Sequence, residues 1–259
     1  MEKQIQPFIE RMNEILCGHL LSVHLYGSCV MNDFQPGWSD IDLLCFTDCP
    51  IPEPQAEALL MLRQTMVNET NNPLFRCIEG ALVCADEFRH DQFTTVIYWG
   101  TSGQRIKTHY MPDAFSCHSL LHFGRCIYGQ DLSSLIPPTT FTDLLYEIRQ
   151  HLTTIRIHAR ETNESLYSCG WLLDIARCLY TLRTKTIISK TQAGKWALEQ
   201  RLCPEPDQME QTLAVRQNPS EALQTPEIRS WLKTLGPSIQ KFADVLEKEL
   251  EEQTNEQMV

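Results

Sequence analysis

The chain has 259 residues, enough for one large domain or two small ones. Its composition, 42% hydrophobic and 21% charged, is that of a folded protein. A formal charge of −11 excludes the basic face needed to wrap nucleic acid and suits a cationic small substrate. No apolar run is long enough to cross a membrane. The opening MEKQIQPFIERMNEIL is amphipathic and mixed in charge, unlike a secretory signal, so a cytoplasmic protein is expected. The 11 cysteines include no CxxC pair and no zinc-finger ladder. In a reducing compartment they are expected to be mostly buried free thiols.

Residues 4–18 carry Ile5, Phe8, Ile9, Met12, Ile15 and Leu16 at helical spacing. Leu21 to Tyr26 and Asp40 to Phe46 read as strands. After the Pro-rich IPEP, a helix is expected from Gln55 to Asn68. Cys77 to Cys84 and Phe93 to Trp99 are the next strands, and Asp113 to His122 is a helix. Pro137 and Pro138 in SLIPPTT break the chain. Beyond them strand signals fade, and 141–158, 164–184, 190–201 and 226–253 carry helical patterns. In KFADVLEKELEEQ the residues Phe242, Val245, Leu246 and Leu250 form one side, which reads as a packing helix with a solvated acidic face. The expected architecture is therefore an α/β part over residues 1–139 followed by a helical part over 140–259.

The chemistry concentrates in LYGSCVMNDFQPGWSDIDLL. Successive strand residues point to opposite faces, so Asp40 and Asp42 share a face and Ile41 and Leu43 share the other. Two carboxylates that close repel unless a cation lies between them. Oxygen ligands at this spacing suit Mg²⁺ together with substrate phosphates. Gly27 and Ser28 end the preceding strand, where a glycine lets backbone approach a phosphate. Eleven residues, 29–39, separate that pair from Asp40. A third acid, Glu79, interrupts the apolar run Ile78 to Val83, where an unpaired carboxylate is costly. Taken singly, a D-x-D is usually two solvated acids and a Gly-Ser usually a turn; the ordered combination carries the signal.

That ordered set resembles the nucleotidyltransferase superfamily of polymerase-beta-like fold. The second half narrows the resemblance. IARCLYTLRTKTIISKTQAGKWALEQ, residues 175–200, is similar to the helical domain of the aminoglycoside (3″)(9) adenylyltransferases, through Arg177, Lys190 and Trp196-Ala197. The likeness runs from about residue 8 to about residue 200. It implies an α+β fold: an N-terminal nucleotidyltransferase domain with a mixed β-sheet flanked by helices, and a C-terminal α-helical bundle domain completing the cleft. It implies transfer of AMP from ATP, with Mg²⁺, to a hydroxyl of an aminoglycoside or aminocyclitol. Asp40 and Asp42 would hold the metal and triphosphate, with Glu79 on the metal and as catalytic base. Gly27, Ser28, Ser39, Arg177 and Lys190 would bind the nucleotide. Without the resemblance, Arg177 and Lys190 would read as solvated helix charges.

Members of that family that accept streptomycin carry a Trp, an acid and an Asp/His pair before the arginine-bearing helix. Here those places hold His158, Asn163, Tyr167 and Gly170, none of which matches. Glu161, Glu164 and Trp171 offer a different acidic-aromatic wall. Spectinomycin is thus favoured, and a metabolite or protein hydroxyl is the alternative acceptor. Tyr98 and Trp99 read first as core and second as a substrate wall. His118 and His122 read as structural, since no third ligand accompanies them. The expected partners are ATP and a cationic small molecule, with no nucleic acid and no membrane, acting on a monomer.

Overall fold

Leu20–Tyr26 (β1) and Ile41–Thr47 (β2) are apolar at nearly every position, the composition of strands covered on both faces. In the computed structural model, which describes residues 1–100 and 103–256, these two strands pair antiparallel, with Tyr26 opposite Asp42. Ile78–Cys84 (β3), Val96–Gly100 (β4), Gly103–Lys107 (β5) and Arg125–Gly129 (β6) complete a six-stranded mixed sheet of order β5-β4-β3-β2-β1-β6. Only β2 and β3 run parallel, and their register sets Asp42 beside Glu79.

Glu2–Ile15 (α1) and Glu53–Thr70 (α2) cover one face of the sheet. Phe8 from α1 stacks with Phe75 and meets the edge of Trp99 from β4, at centroid distances of 6.1 and 5.6 Å. The other face carries Leu44, Phe46, Ala81, Val83 and Val96, packed against Phe88 of Ala85–His90 (α3) and Leu120 of Ala114–Phe123 (α4). Asp42 and Glu79 lie two residues before Leu44 and Ala81. They therefore head the face on which that core begins.

A second compact unit consists of Asp33–Trp38 and Thr139–Val259; the first is Met1–Asn32 with Ser39–Pro138. Phe141–His158 (α5) starts at a reciprocal cap between Thr140 and Asp143. Tyr167–Thr184 (α6) buries residues all round its surface and packs against α5, Lys190–Glu199 (α7), Pro206–Gln217 (α8) and Gly236–Glu256 (α11). Pro219–Ala222 (α9) and Pro226–Leu232 (α10) are short. On α11 Phe242, Ala243, Leu246 and Leu250 are buried, Asp244 and Glu247 are exposed, and Glu249 is half-buried against Arg183. Among the described residues no helix is long and apolar enough to cross a membrane.

The fold is α+β, as expected, with several local differences. Strands β5 and β6 had no sequence signal, because GQRIK and RCIYG are edge strands without apolar alternation. Strand β2 begins at Ile41, so Asp40 stands just ahead of it rather than in it. The continuous pattern over 226–253 is two helices, α10 and α11, separated at residues 233–235 where buried Leu235 turns the chain. Helix α8 was not read from the sequence at all.

Gly80 lies at φ +137°, and a Cβ there would fall 1.8 Å from the Leu43 carbonyl oxygen on the neighbouring strand. Neither backbone can give way without breaking the parallel pairing. Gly80→Ala is therefore expected to destabilise the first unit by at least about 2 kcal/mol. Urea unfolding of the variant measures this; an unchanged midpoint would contradict it.

Candidate active site

The edge of the site is a tight turn. At the end of β1 the chain enters a 3-10 turn, Gly27–Cys29, with Gly27 at φ +67°. The turn is fixed from both sides: the Gly27 amide donates to Ser119 Oγ of α4 at 3.2 Å, and Ser28 Oγ donates to the Asp40 carbonyl at 3.3 Å. A Cβ on Gly27 would sit 2.0 Å from Asp42 Oδ2. Glycine thus leaves the space in which the Asp42 carboxylate lies against the turn. Ser39, directly before Asp40, is buried.

Glu79 is half-buried and accepts a hydrogen bond from the Tyr98 hydroxyl at 3.1 Å. The acid that stood out in an apolar strand therefore has a fixed orientation. Tyr98 is half-buried, with Lys107 Nζ 3.9 Å from its ring centroid. Trp99 is fully buried with its indole N–H on the Leu59 carbonyl at 3.1 Å, so it is core and no substrate wall.

The negative charge of Asp42 is felt around the turn. Burial, then Asp42, pushes the Cys29 thiol up to about 12. The Tyr98 phenol is raised to about 12 by burial, Glu79 and Asp42. Tyr26 and Tyr110 share a hydrogen bond and are both raised, first by burial and in part by Asp42. Every one of these groups is kept neutral at physiological pH. The turn thus gathers carboxylates among uncharged hydroxyl and thiol groups, an environment that favours a divalent cation.

The second unit holds the two predicted cations together. Asp174 and Arg177 lie one turn apart on α6, and Lys190 opens α7. Asp174 Oδ1 accepts from Arg177 Nη2 at 2.9 Å, and Asp174 Oδ2 accepts from Lys190 Nζ at 3.1 Å. Burial alone would raise the Asp174 pKa, but Lys190, Arg177 and His151 hold it down to about 2. The start of α7 is capped by Ser189, whose Oγ accepts from the Gln192 amide, and by Asp33, whose Oδ2 accepts from the Thr191 amide at 3.2 Å. Asp33 is in turn bound by Arg216, 2.8 Å away, and both side chains are almost wholly buried. The Arg216 guanidinium also lies over the Trp38 ring.

Sequence reasoning singled out Gly27, Ser28, Ser39, Asp40, Asp42 and Glu79; Asp42 lies against the Gly27 turn, Glu79 is level with Asp42 on β3, and Ser28 bonds the Asp40 carbonyl. It found Arg177 and Lys190, which the second unit joins through one carboxylate. It missed Asp174, Tyr98 as the Glu79 partner, and Ser119. Asp174 had one legible signal: a lone acid in the apolar run Trp171 to Ala176, like Glu79 in its strand. The expected acidic-aromatic wall is only partly available, because Glu164 is paired with Lys233 at 2.6 Å and approached by Arg229 at 3.9 Å. His118 is buried and stacks on His122, with centroids 4.2 Å apart. A surface trio, His19, Asp48 and Cys49, brings metal-ligand atoms within 4.8 Å, and His19 Nδ1 and Asp48 Oδ1 are hydrogen-bonded at 2.9 Å on the exposed surface.

Residues 7–73 match the model of the nucleotidyltransferase domain. Residues 134–235 match that of the aminoglycoside adenylyltransferase C-terminal domain. The chain thus joins a nucleotidyltransferase domain to a C-terminal domain of the aminoglycoside adenylyltransferase type, and it is a nucleotidyltransferase. A similar solved structure is the spectinomycin adenyltransferase AAD(9) from Enterococcus faecialis, with ATP and spectinomycin. It is 17% identical, with a TM-score of 0.61, over 95% of this chain and 99% of that one, which shows the shared fold. A toxin-antitoxin structure, MntA-HpeT, is 11% identical over 61% of this chain and 94% of that one; its TM-score of 0.29 carries no weight. No curated protein matches significantly in sequence.

The Asp174 environment predicts a pH effect. Its pKa is lower folded than unfolded, so the stabilisation is complete above about pH 4 and is lost as pH falls towards about 2. The size is on the order of 2 kcal/mol. Urea midpoints of the native chain and Asp174→Asn should differ at pH 5, and the gap should narrow as the pH falls through about 2. A gap that stays constant with pH would contradict the ion-pair account.

Proposed function

We propose that this enzyme transfers AMP from ATP to a hydroxyl of an aminocyclitol antibiotic, with Mg²⁺, and prefers spectinomycin to streptomycin. The observation that carries the reading is the parallel register of Asp42 with Glu79 beside a turn whose glycine leaves room for the Asp42 carboxylate. The donor set fits Mg²⁺: the carboxylates of Asp40, Asp42 and Glu79 are hard oxygen ligands. The space next to Gly27, which any Cβ would fill, keeps Asp42 in the set. When bound, the ion would neutralise charge building on the triphosphate.

The remaining work falls to the chain. The turn at Gly27 and Ser28, with Ser39, would fix the triphosphate by backbone N–H and hydroxyl donors. Arg177 and Lys190 would take the β- and γ-phosphates. Glu79, oriented by Tyr98, would accept the proton of the acceptor hydroxyl. The acceptor oxygen then bonds to the α-phosphorus, the α–β bridging bond breaks, and pyrophosphate leaves. Positioning supplies most of the acceleration.

Spectinomycin is supported by two things. The positions filled by streptomycin-binding residues in relatives hold His158, Asn163, Tyr167 and Gly170 here. The similar solved protein holds ATP and spectinomycin.

Purified protein with Mg²⁺-ATP and a panel of spectinomycin, streptomycin and other aminoglycosides tests the reading through product mass. One AMP added to spectinomycin alone is the expected result. Pyrophosphate release with no drug modified would move the acceptor to a metabolite or protein hydroxyl. Asp42→Asn is expected to fold normally and lose turnover. Glu79→Gln is expected to keep ATP binding and slow transfer by about 10²–10⁴-fold; single-turnover kinetics at normal rate would remove Glu79 as the base.

A further inference from the structure

Asp174 is a costly residue where it stands. It lies on the most buried helix of the second unit, with its side chain 12% exposed, among Leu172, Leu173 and Ile175. A carboxylate there must be compensated or it destabilises the fold. A one-to-one ion pair would suffice. The chain instead sets two cations on one carboxyl group, each on its own oxygen. His151 of α5 also faces Asp174, and Glu147 lies 3.8 Å from His151.

The order of exposure has a direction. Lys190 is 30% exposed and Arg177 21%, against 12% for Asp174. Both cations are thus more open to solvent than the acid that holds them. The trio carries a net positive charge, with five N–H donors on an arginine and three on a lysine. A lysine on its own has about 2 kcal/mol of side-chain rotamer entropy to lose on ordering. Holding it on a buried carboxylate means part of that cost is met on folding, before any ligand arrives.

We propose that Asp174 is a positioning residue for the nucleotide: its two oxygens set the spacing and direction of Arg177 and Lys190, so that a polyphosphate meets two cations already in place. The inference rests on the reading of Arg177 and Lys190 as phosphate contacts. An asparagine at 174 could accept from only one of the two, and its amide N–H₂ would face the other cation. A glutamate would keep both pairs but move the cations by the length of a methylene.

The test separates the phosphate-dependent part of affinity from the rest. Calorimetry gives the affinity for Mg²⁺-ATP, and competition gives that for adenosine, in the native chain and in Arg177→Ala, Lys190→Ala, Asp174→Asn and Asp174→Glu. Both alanine variants should reduce the ATP-to-adenosine ratio. Asp174→Asn should reduce it about tenfold, the effect of losing one charged hydrogen bond, with adenosine affinity unchanged. Asp174→Glu should recover part of the loss. If the alanine variants leave the ratio intact, the phosphate reading fails and takes this inference with it. If they lower it and Asp174→Asn does not, the positioning role alone is overturned. Equal weakening of ATP and adenosine would also overturn it, since that is what a purely structural acid produces. Should Asp174→Asn not fold, Asp174→Glu carries the test, with a severalfold drop in the ratio expected and no drop overturning the proposal.

Discussion

The site depends on one pairing, the parallel ladder between β2 and β3. Among the described residues it is the only parallel pair, and it sets Asp42 level with Glu79. The pairing depends on Gly80, because any side chain there would collide with the Leu43 carbonyl. The next position out depends on Gly27, which gives the Asp42 carboxylate its place against the turn. Two glycines with positive φ therefore fix the position of two acids. Under the proposed function these two acids would share the cation, whose charge would offset theirs. Local strain and charge repulsion held in place by a packed sheet are common at functional sites.

The second unit is built around a comparable constraint in helical form. The buried pair of Asp33 and Arg216 ties the loop Asp33–Trp38 to the first turn of α7 and to α8. Such a pair adds little net stability over an apolar equivalent, yet removing one partner is strongly destabilising. Its consequence here is geometric. Asp33 holds the first turn of α7, the helix that Lys190 opens. Asp174 then fixes Lys190 against Arg177.

Much of this was legible in the sequence, for physical reasons. Strands covered on both faces read as apolar runs, so an acid inside one is visible at once; Asp42 and Glu79 stood out in this way. The amphipathic helices α1 and α11 showed their buried stripes directly. Edge strands β5 and β6 did not, because nothing requires apolar alternation where one side of a strand is unpaired. Long-range partners were invisible as well. Nothing in the local pattern tells that Tyr98 donates to Glu79, or that Asp33 meets Arg216 across 183 residues. Asp174 was as visible as Glu79, but a helical run tolerates a polar position every turn, so the same signal carries less weight there.

The central claim is that the carboxylates gathered at the Gly27 turn form a cation-dependent nucleotide site. Calorimetric titration of the native chain with ATP, once with Mg²⁺ and once with a chelator, tests it most directly. The account predicts binding that requires the ion and is lost in Asp42→Asn. Equal ATP affinity with and without the ion, unaffected by Asp42→Asn, would contradict it.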